Sequence, residues 1–233
     1  MVYVTGDLHG NLDNLRQFCK THKTTTEDII VVLGDAGFNY YLNGRDNHLK
    51  HKASKLPITL FCIRGNHEER PQNISTYRTE LFCGGTVYVE PEYPNLKFAI
   101  DGGTYWLEGN KCLALGGAYS VDKFYRIVHF LSWFPQEQLS SKEMYEIEKS
   151  LNTTNKIFNY VFSHTCPYSV RPTHLFLPGI DQSRVDTSME EWLETLSKEL
   201  TFDKWYFGHY HDEWNKGNYT MLYKEVIPLG ELA

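Results

Sequence analysis

The stretch Ile58-Thr59-Leu60-Phe61-Cys62-Ile63-Arg64-Gly65-Asn66-His67-Glu68 decides the fold class. Its first half is a short apolar run with β-branched and aromatic residues, and it ends abruptly in a polar, glycine-containing turn. Such a run reads as a buried strand. The same grammar recurs along the chain. Val2 to Val4 leads into Gly6-Asp7-Leu8-His9-Gly10, and Ile29 to Leu33 leads into Gly34-Asp35. Tyr160 to Phe162 leads into Ser163-His164, and Trp205 to Phe207 leads into Gly208-His209-Tyr210-His211.

Helical patterns lie between these runs. Leu12, Leu15, Phe18 and Cys19 fall at helical spacing. Ser140 with Glu143, and Ser188 with Glu191, have the spacing of capping boxes. Trp192, Leu193, Leu196 and Leu200 would form the buried stripe of the second of these helices. The run Leu49-Lys50-His51-Lys52 reads as a solvated helix face. In the middle of the chain, Gly84 to Val89 and Thr104 to Leu107 flank turn-rich segments, and Glu108-Gly109-Asn110-Lys111 resembles a hairpin turn before Cys112 to Leu115. The expectation is one α/β domain over residues 1–233, with two sheets packed face to face and flanked by helices.

Bulk composition narrows the function classes. A hydrophobic content of 41% and a charged content of 22% are those of a globular chain. No run approaches the roughly 18 to 20 apolar residues of a membrane span, and Met1 to Gly10 lacks the form of a signal peptide. A cytoplasmic protein is expected. Five cysteines with no CxxC pair argue against a disulfide framework or a thiolate zinc site. A net charge of −6 disfavours long nucleic acid as a partner.

The chemistry gathers at the ends of the strands. In α/β sheets, ligands bind in the crevice outside the carboxyl ends of the strands. Asp7, His9, Asp35, Asn66, His164, His209 and His211 would therefore be aimed at one crevice from separate segments. Imidazole suits first-row transition ions, and carboxylate or amide oxygen suits harder ones. The set fits manganese, iron or zinc better than calcium. A carboxylate can bridge two ions, which allows a pair roughly 3.5–4 Å apart. Gly208-His209-Tyr210-His211 would place both imidazoles on one side of an extended segment.

The order Gly-Asp-x-His, Gly-Asp, Gly-Asn-His-Glu, His and Gly-His-x-His resembles that of the calcineurin-like metallophosphoesterase superfamily, and these motifs span residues 6 to 211. The resemblance implies a four-layer α/β/β/α sandwich of two mixed sheets flanked by helices, with two divalent or mixed-valence transition metal ions at the strand ends. Carried over by position, Asp7, His9 and His211 would hold one ion, Asn66, His164 and His209 the other, and Asp35 would bridge them. His67 matches the histidine that stabilises the transition state or protonates the leaving group. The implied reaction is hydrolysis of a phosphate mono- or diester by a hydroxide between the metals. The substrate would be a phosphoprotein, a nucleotide or another small phosphoester. Arg64, just ahead of the Gly-Asn-His turn, is a candidate phosphate clamp because guanidinium grips two oxygens at once, with an ion pair to Glu68 or Glu69 as its structural alternative. Arg126, Arg171 and Arg184 are weaker candidates for substrate contact.

The sequence departs from the serine/threonine phosphatase version of the pattern at Gly34-Asp35-Ala36-Gly37-Phe38-Asn39, where Phe38 and Asn39 stand in place of the usual aspartate and arginine. Support for His67 must come from elsewhere. The segment Leu115-Gly116-Gly117-Ala118-Tyr119-Ser120 with Asp122 and Arg126 is similar to smaller bacterial and phage-type members. Two other functions compete: a dinucleoside-polyphosphate pyrophosphohydrolase, and a non-catalytic scaffold of the same fold. Tyr40, Tyr41, Tyr119 and Tyr125 are candidates to stack on a nucleobase.

Overall fold

In the computed structural model, which describes residues 1–231, the apolar runs all become strands. The first sheet contains β1 (Val2–Thr5), β2 (Ile29–Val32), β3 (Thr59–Cys62), β4 (Arg78–Phe82), β5 (Gly85–Val89) and β6 (Leu96–Ala99). The second contains β7 (Thr104–Leu107), β8 (Asn110–Leu115), β9 (Ile157–Ser163), β10 (Thr201–Phe207), β11 (Trp214–Lys216) and β12 (Tyr219–Met221). The chain then returns to the first sheet as β13 (Val226–Pro228), antiparallel to β1. The orders are β13-β1-β2-β3-β6-β5-β4 and β11-β12-β10-β9-β8-β7. Both sheets are mixed. In the first, β1, β2, β3 and β6 run parallel, and in the second β8, β9, β10 and β12 do so.

Three apolar clusters explain why the runs are apolar without alternation. Val2, Val4, Val31 and Leu33 point between the sheets, where they meet Tyr105, Ala114, Phe162 and Tyr206. Tyr3, Ile30 and Val32 point outward to the helices α1 (Asp13–His22) and α2 (Gly44–Ala53), packing with Leu15, Cys19 and Ala53. On the far side, Leu113, Leu115, Val161 and Trp205 pack with Ile147 and Leu151 of α4 (Ser141–Leu151) and Trp192, Leu193 and Leu196 of α5 (Ser188–Glu199). The result is the expected α/β/β/α layering. A short helix, α3 (Lys123–Val128), lies outside it and buries no residue. No helix among the described residues is long and apolar enough to cross a membrane.

Several local signals are realised in the structure. The β7–β8 hairpin pairs Leu107 with Asn110 across Glu108 and Gly109, both at positive φ as a two-residue turn of this kind requires. Ser140 caps α4 in a complete capping box with Glu143, whose carboxylate also pairs with Arg70. Two local readings are corrected. Ser188 makes no capping box: Thr187 occupies the cap position, and its hydroxyl bonds the Glu191 carboxylate at 2.7 Å. Lys50 is not solvated but 3% exposed, paired with Glu90 and lying over the Tyr77 ring.

Replacing Ser140 by Ala should lower stability by about 1 kcal/mol. Urea denaturation should show an earlier midpoint at unchanged slope, and an unshifted midpoint would remove the cap from the account of α4.

Candidate active site

Every ligand-type residue singled out from the sequence arrives at the carboxyl ends of the parallel strands. Asp7 and His9 follow β1, Asp35 follows β2, and Asn66 and His67 follow β3. His164 follows β9, and His209 and His211 follow β10. The turns are tight. His9, Asp35, His209 and His211 all have left-handed backbones, with φ of 45°, 46°, 70° and 56°. Non-glycine residues seldom adopt this conformation, at a cost on the order of 1–3 kcal/mol each, and such strain gathers at functional sites. The expected extended segment at Gly208-His209-Tyr210-His211 is therefore corrected. It is a turn, and its two imidazoles converge through left-handed backbone rather than strand alternation.

The carboxylates tie the loops together. Asp7 Oδ1 accepts the His209 backbone N–H at 2.9 Å, and Asp35 Oδ1 accepts that of His67 at 2.8 Å. His211 Nε2 lies 3.1 Å from Asp7 Oδ2 and 2.9 Å from His9 Nε2. Asp7 is 4% exposed; burial raises its pKa, but the facing His164 and the His211 hydrogen bond outweigh that and hold it at about 2. The carboxylate form is thus kept ready for a cation.

A second group surrounds Asn66. His164 Nδ1 lies 2.7 Å from the Leu33 carbonyl oxygen and donates to it, which turns Nε2 towards the cluster. Nε2 faces Asn66 Oδ1 at 2.7 Å, and His209 Nδ1 stands 3.1 Å from the same oxygen. The amide cannot simply be turned over. Its nitrogen donates to Ser120 Oγ at 2.8 Å, and Ser120 Oγ donates to Glu137 at 2.6 Å. Three atoms of metal-ligating type, two imidazole nitrogens and an amide oxygen, thus meet at one point. The donors therefore fit a metal ion, and two clusters, Asp7–His9–His211 and Asp7–Asp35–His164, each bring three ligand atoms within 4.8 Å of one another.

Glycine is required where these elements touch. At Gly34 (φ 108°) a Cβ would lie 2.1 Å from His164 Nδ1, and at Gly65 it would lie 2.0 Å from Asp35 Oδ1.

Arg64 does not reach the cavity. It is 5% exposed, and its guanidinium is bound to Asp101 at 3.0 Å and to the carbonyls of Gly116 and Glu137 at 3.0 and 2.8 Å. Neither a phosphate clamp nor an ion pair with Glu68 or Glu69 describes it. It fastens the β3 turn to the loops after β6 and β8. Arg126 stands in the cavity instead. Its Nε meets both Asp122 oxygens at 2.8 Å, Nη1 reaches Tyr40 Oη at 3.2 Å, and Nη2 lies 3.2 Å from His67 Nε2. Since guanidinium only donates, His67 Nε2 accepts in this arrangement. Burial is the main influence lowering the His67 pKa.

Phe38 and Asn39, the departures from the phosphatase pattern, belong to the packing. Phe38 is fully buried against Phe98, and Asn39 accepts from Tyr77 Oη at 3.0 Å. Cys166 is buried, and its thiol is pushed up by that burial, which is opposite to what a nucleophile needs. Of the histidines outside the motifs, His22 stacks on Phe18 and His129 on Tyr125. Glu137 had no signal in the sequence, because it acts through Ser120, a neighbour brought near only by folding.

A cavity of about 780 Å³ opens over the cluster. Tyr40, Tyr41, Tyr119, Arg126 and Arg171 line it, whereas Tyr125 and Arg184 do not.

Mixed sheets with Asp, Asn and His gathered at their carboxyl ends are the form of a metallohydrolase. The sequence matches the calcineurin-like phosphoesterase family over residues 1–213, and the chain belongs to that family of metal-dependent enzymes that hydrolyse phosphoesters. No curated protein matches it. Among solved structures, TT1561 of Thermus thermophilus is similar with a TM-score of 0.50 at 15% identity, covering 95% of this chain and 87% of that one. A further crystal structure gives 0.51 at 14% identity, covering 95% and 88%. The phosphopantetheinyl hydrolase PptH of Mycobacterium tuberculosis gives 0.43 at 14% identity, covering 96% and 89%. The first two likenesses are of fold.

Two variants separate support from site. Arg64→Ala should destabilise the chain by about 3–5 kcal/mol, because it strands a mostly buried Asp101. A role in substrate binding alone would instead raise KM at unchanged melting temperature. Gly65→Ala should weaken manganese binding about tenfold or more by displacing Asp35, read by calorimetric titration. Undiminished affinity would show that the close approach is not needed.

Proposed function

We propose that this enzyme hydrolyses a phosphate mono- or diester with two transition metal ions, manganese, iron or zinc. Asp7, His9 and His211 would hold the first, Asn66, His164 and His209 the second, and Asp35 would serve both. The observation that carries this reading is the meeting of His164 Nε2 and His209 Nδ1 on Asn66 Oδ1, at 2.7 and 3.1 Å, beside the Asp7–His9–His211 group. When bound, the ions would lower the pKa of a coordinated water towards neutrality and neutralise charge on the phosphoryl oxygens.

The chain's own residues do the rest. His164 is oriented by its Nδ1–H bond to Leu33, which leaves Nε2 facing the cluster. Arg126, steadied by Asp122, is the phosphate clamp, in the place that Arg64 does not reach. A phosphoryl oxygen drawing the Arg126 N–H away would release His67 Nε2. That atom is then free to hold a proton and deliver it to the leaving oxygen. The Arg126–Asp122 pair thereby supplies the support for His67 that Phe38 and Asn39 do not give. Five free cysteines, four of them buried, agree with a reducing cytoplasm.

The manganese-loaded enzyme should turn over 4-nitrophenyl phosphate or bis(4-nitrophenyl) phosphate. Asp35→Asn and His67→Ala should each lower kcat roughly a hundredfold or more. Arg126→Ala should chiefly raise KM, with partial recovery in Arg126→Lys. Two bound metals without cleavage of either ester would point to the anhydride of a dinucleoside polyphosphate. A chain that binds no metal would end the proposal.

A further inference from the structure

The cavity extends well past the cluster of ligand-type residues. Beside Tyr210 it is walled by Leu175, Phe176, Ile180 and Val185, and Glu190 of α5 lies in that wall. Glu190 is 5% exposed. Its Oε1 accepts from Thr165 Oγ1 at 3.0 Å, while Oε2 has no hydrogen-bond partner among the described residues. A carboxylate oxygen left bare in a largely apolar lobe is costly unless a donor reaches it. Oε2 is itself enclosed, and a turn of the soft last side-chain torsion of Glu is the movement that would present it to the cavity. The rings of Phe176 and Tyr210 lie nearly parallel at 19°, and the Arg171 guanidinium sits 5.7 Å from the Phe176 centroid.

We propose that this lobe is a subsite for the alcohol portion of the substrate, and that it takes a flat heterocycle bearing an N–H donor on its rim, which is the chemistry of a nucleoside. The heterocycle lies against Phe176 and Tyr210, and its N–H donates to Glu190. The inference rests on the phosphoesterase reading for the placement of the phosphate, but the subsite stands on its own residues. An acyl chain would fill the lobe while leaving the carboxylate oxygen unpaired, so a lipid is the poorer fit. Base stacking on aromatic faces is tolerant of base identity, so the N–H donor is what Glu190 adds in selectivity.

The test uses the full chain and phosphate-free probes. Adenosine, guanosine, cytidine and uridine are titrated calorimetrically onto the wild type, Glu190→Gln and Phe176→Ala, with circular dichroism confirming that each variant is folded. At least one nucleoside should bind the wild type, about tenfold or more weaker to Glu190→Gln. Its analogue with every hydrogen on the donor nitrogen replaced by methyl, and so lacking the donor, should bind the wild type as weakly as Glu190→Gln binds the parent. Binding of none of the four, or equal binding by Glu190→Gln, overturns the subsite. Turnover of the matching nucleoside monophosphate is measured beside 4-nitrophenyl phosphate. Glu190→Gln should lower kcat/KM for the nucleotide alone. Hydrolysis of 4-nitrophenyl phosphate without nucleoside binding sinks the subsite and leaves the phosphoesterase reading intact. Glu190-dependent binding with no ester cleaved does the reverse.

Discussion

Two hydrogen bonds at one end of the sandwich set the geometry on which everything else depends. Asp7, after β1 of the first sheet, accepts the backbone N–H of His209 after β10 of the second. His164, after β9 of the second sheet, bonds the Leu33 carbonyl oxygen after β2 of the first. The interior between the sheets is apolar and without direction, and it would tolerate small slides of one sheet over the other. Directional bonds at the carboxyl ends remove that freedom. The residues offering ligand atoms are thus the same ones that fix the two sheets in register, and close spacing in the site follows from the clamp.

The sequence revealed the frame because a doubly buried strand leaves an unusual trace. Ile30, Val31, Val32 and Leu33 are all fully buried, two facing the helices and two facing the other sheet, so alternation vanishes and an apolar run remains. The glycines at the ends of these runs mark the sharp turns in the same way. What stayed hidden depends on distant partners. Arg64 and Arg126 are alike as letters, yet one meets Asp101 and four backbone carbonyls while the other meets the cavity. Lys50 looked solvated because Glu90, its partner, comes from a distant part of the chain's path. The Ser188 capping box failed because Thr187, one residue earlier, takes the cap and binds Glu191 first.

The departure at Phe38 and Asn39 shows how a polar function can move to another segment. Both side chains are committed to packing, one against Phe98 and one to Tyr77. The polar groups around His67 come instead from the segment after β8, where Ser120 orients Asn66, Asp122 holds Arg126, and Arg126 meets His67. Glu137 and Trp133 brace that segment from behind. The polar groups beside His67 thus come from this one loop and not from the β2 turn.

The pairing of β1 with β13 bears on the order in which the molecule can be finished as it leaves the ribosome. Asp7 and His209, which share a hydrogen bond, are 202 residues apart in the chain. Until β13 has emerged, β1 has a neighbour on one side only, and until His209 has emerged the Asp7 carboxylate lacks that amide to accept. The early βαβ units can collapse during synthesis, but the clamp between the sheets closes late. A nascent chain of this protein therefore holds Asp7 without its clamp partner until residue 209 has been made, and a metal ion held between the two sheets would be captured late in folding rather than act as its nucleus.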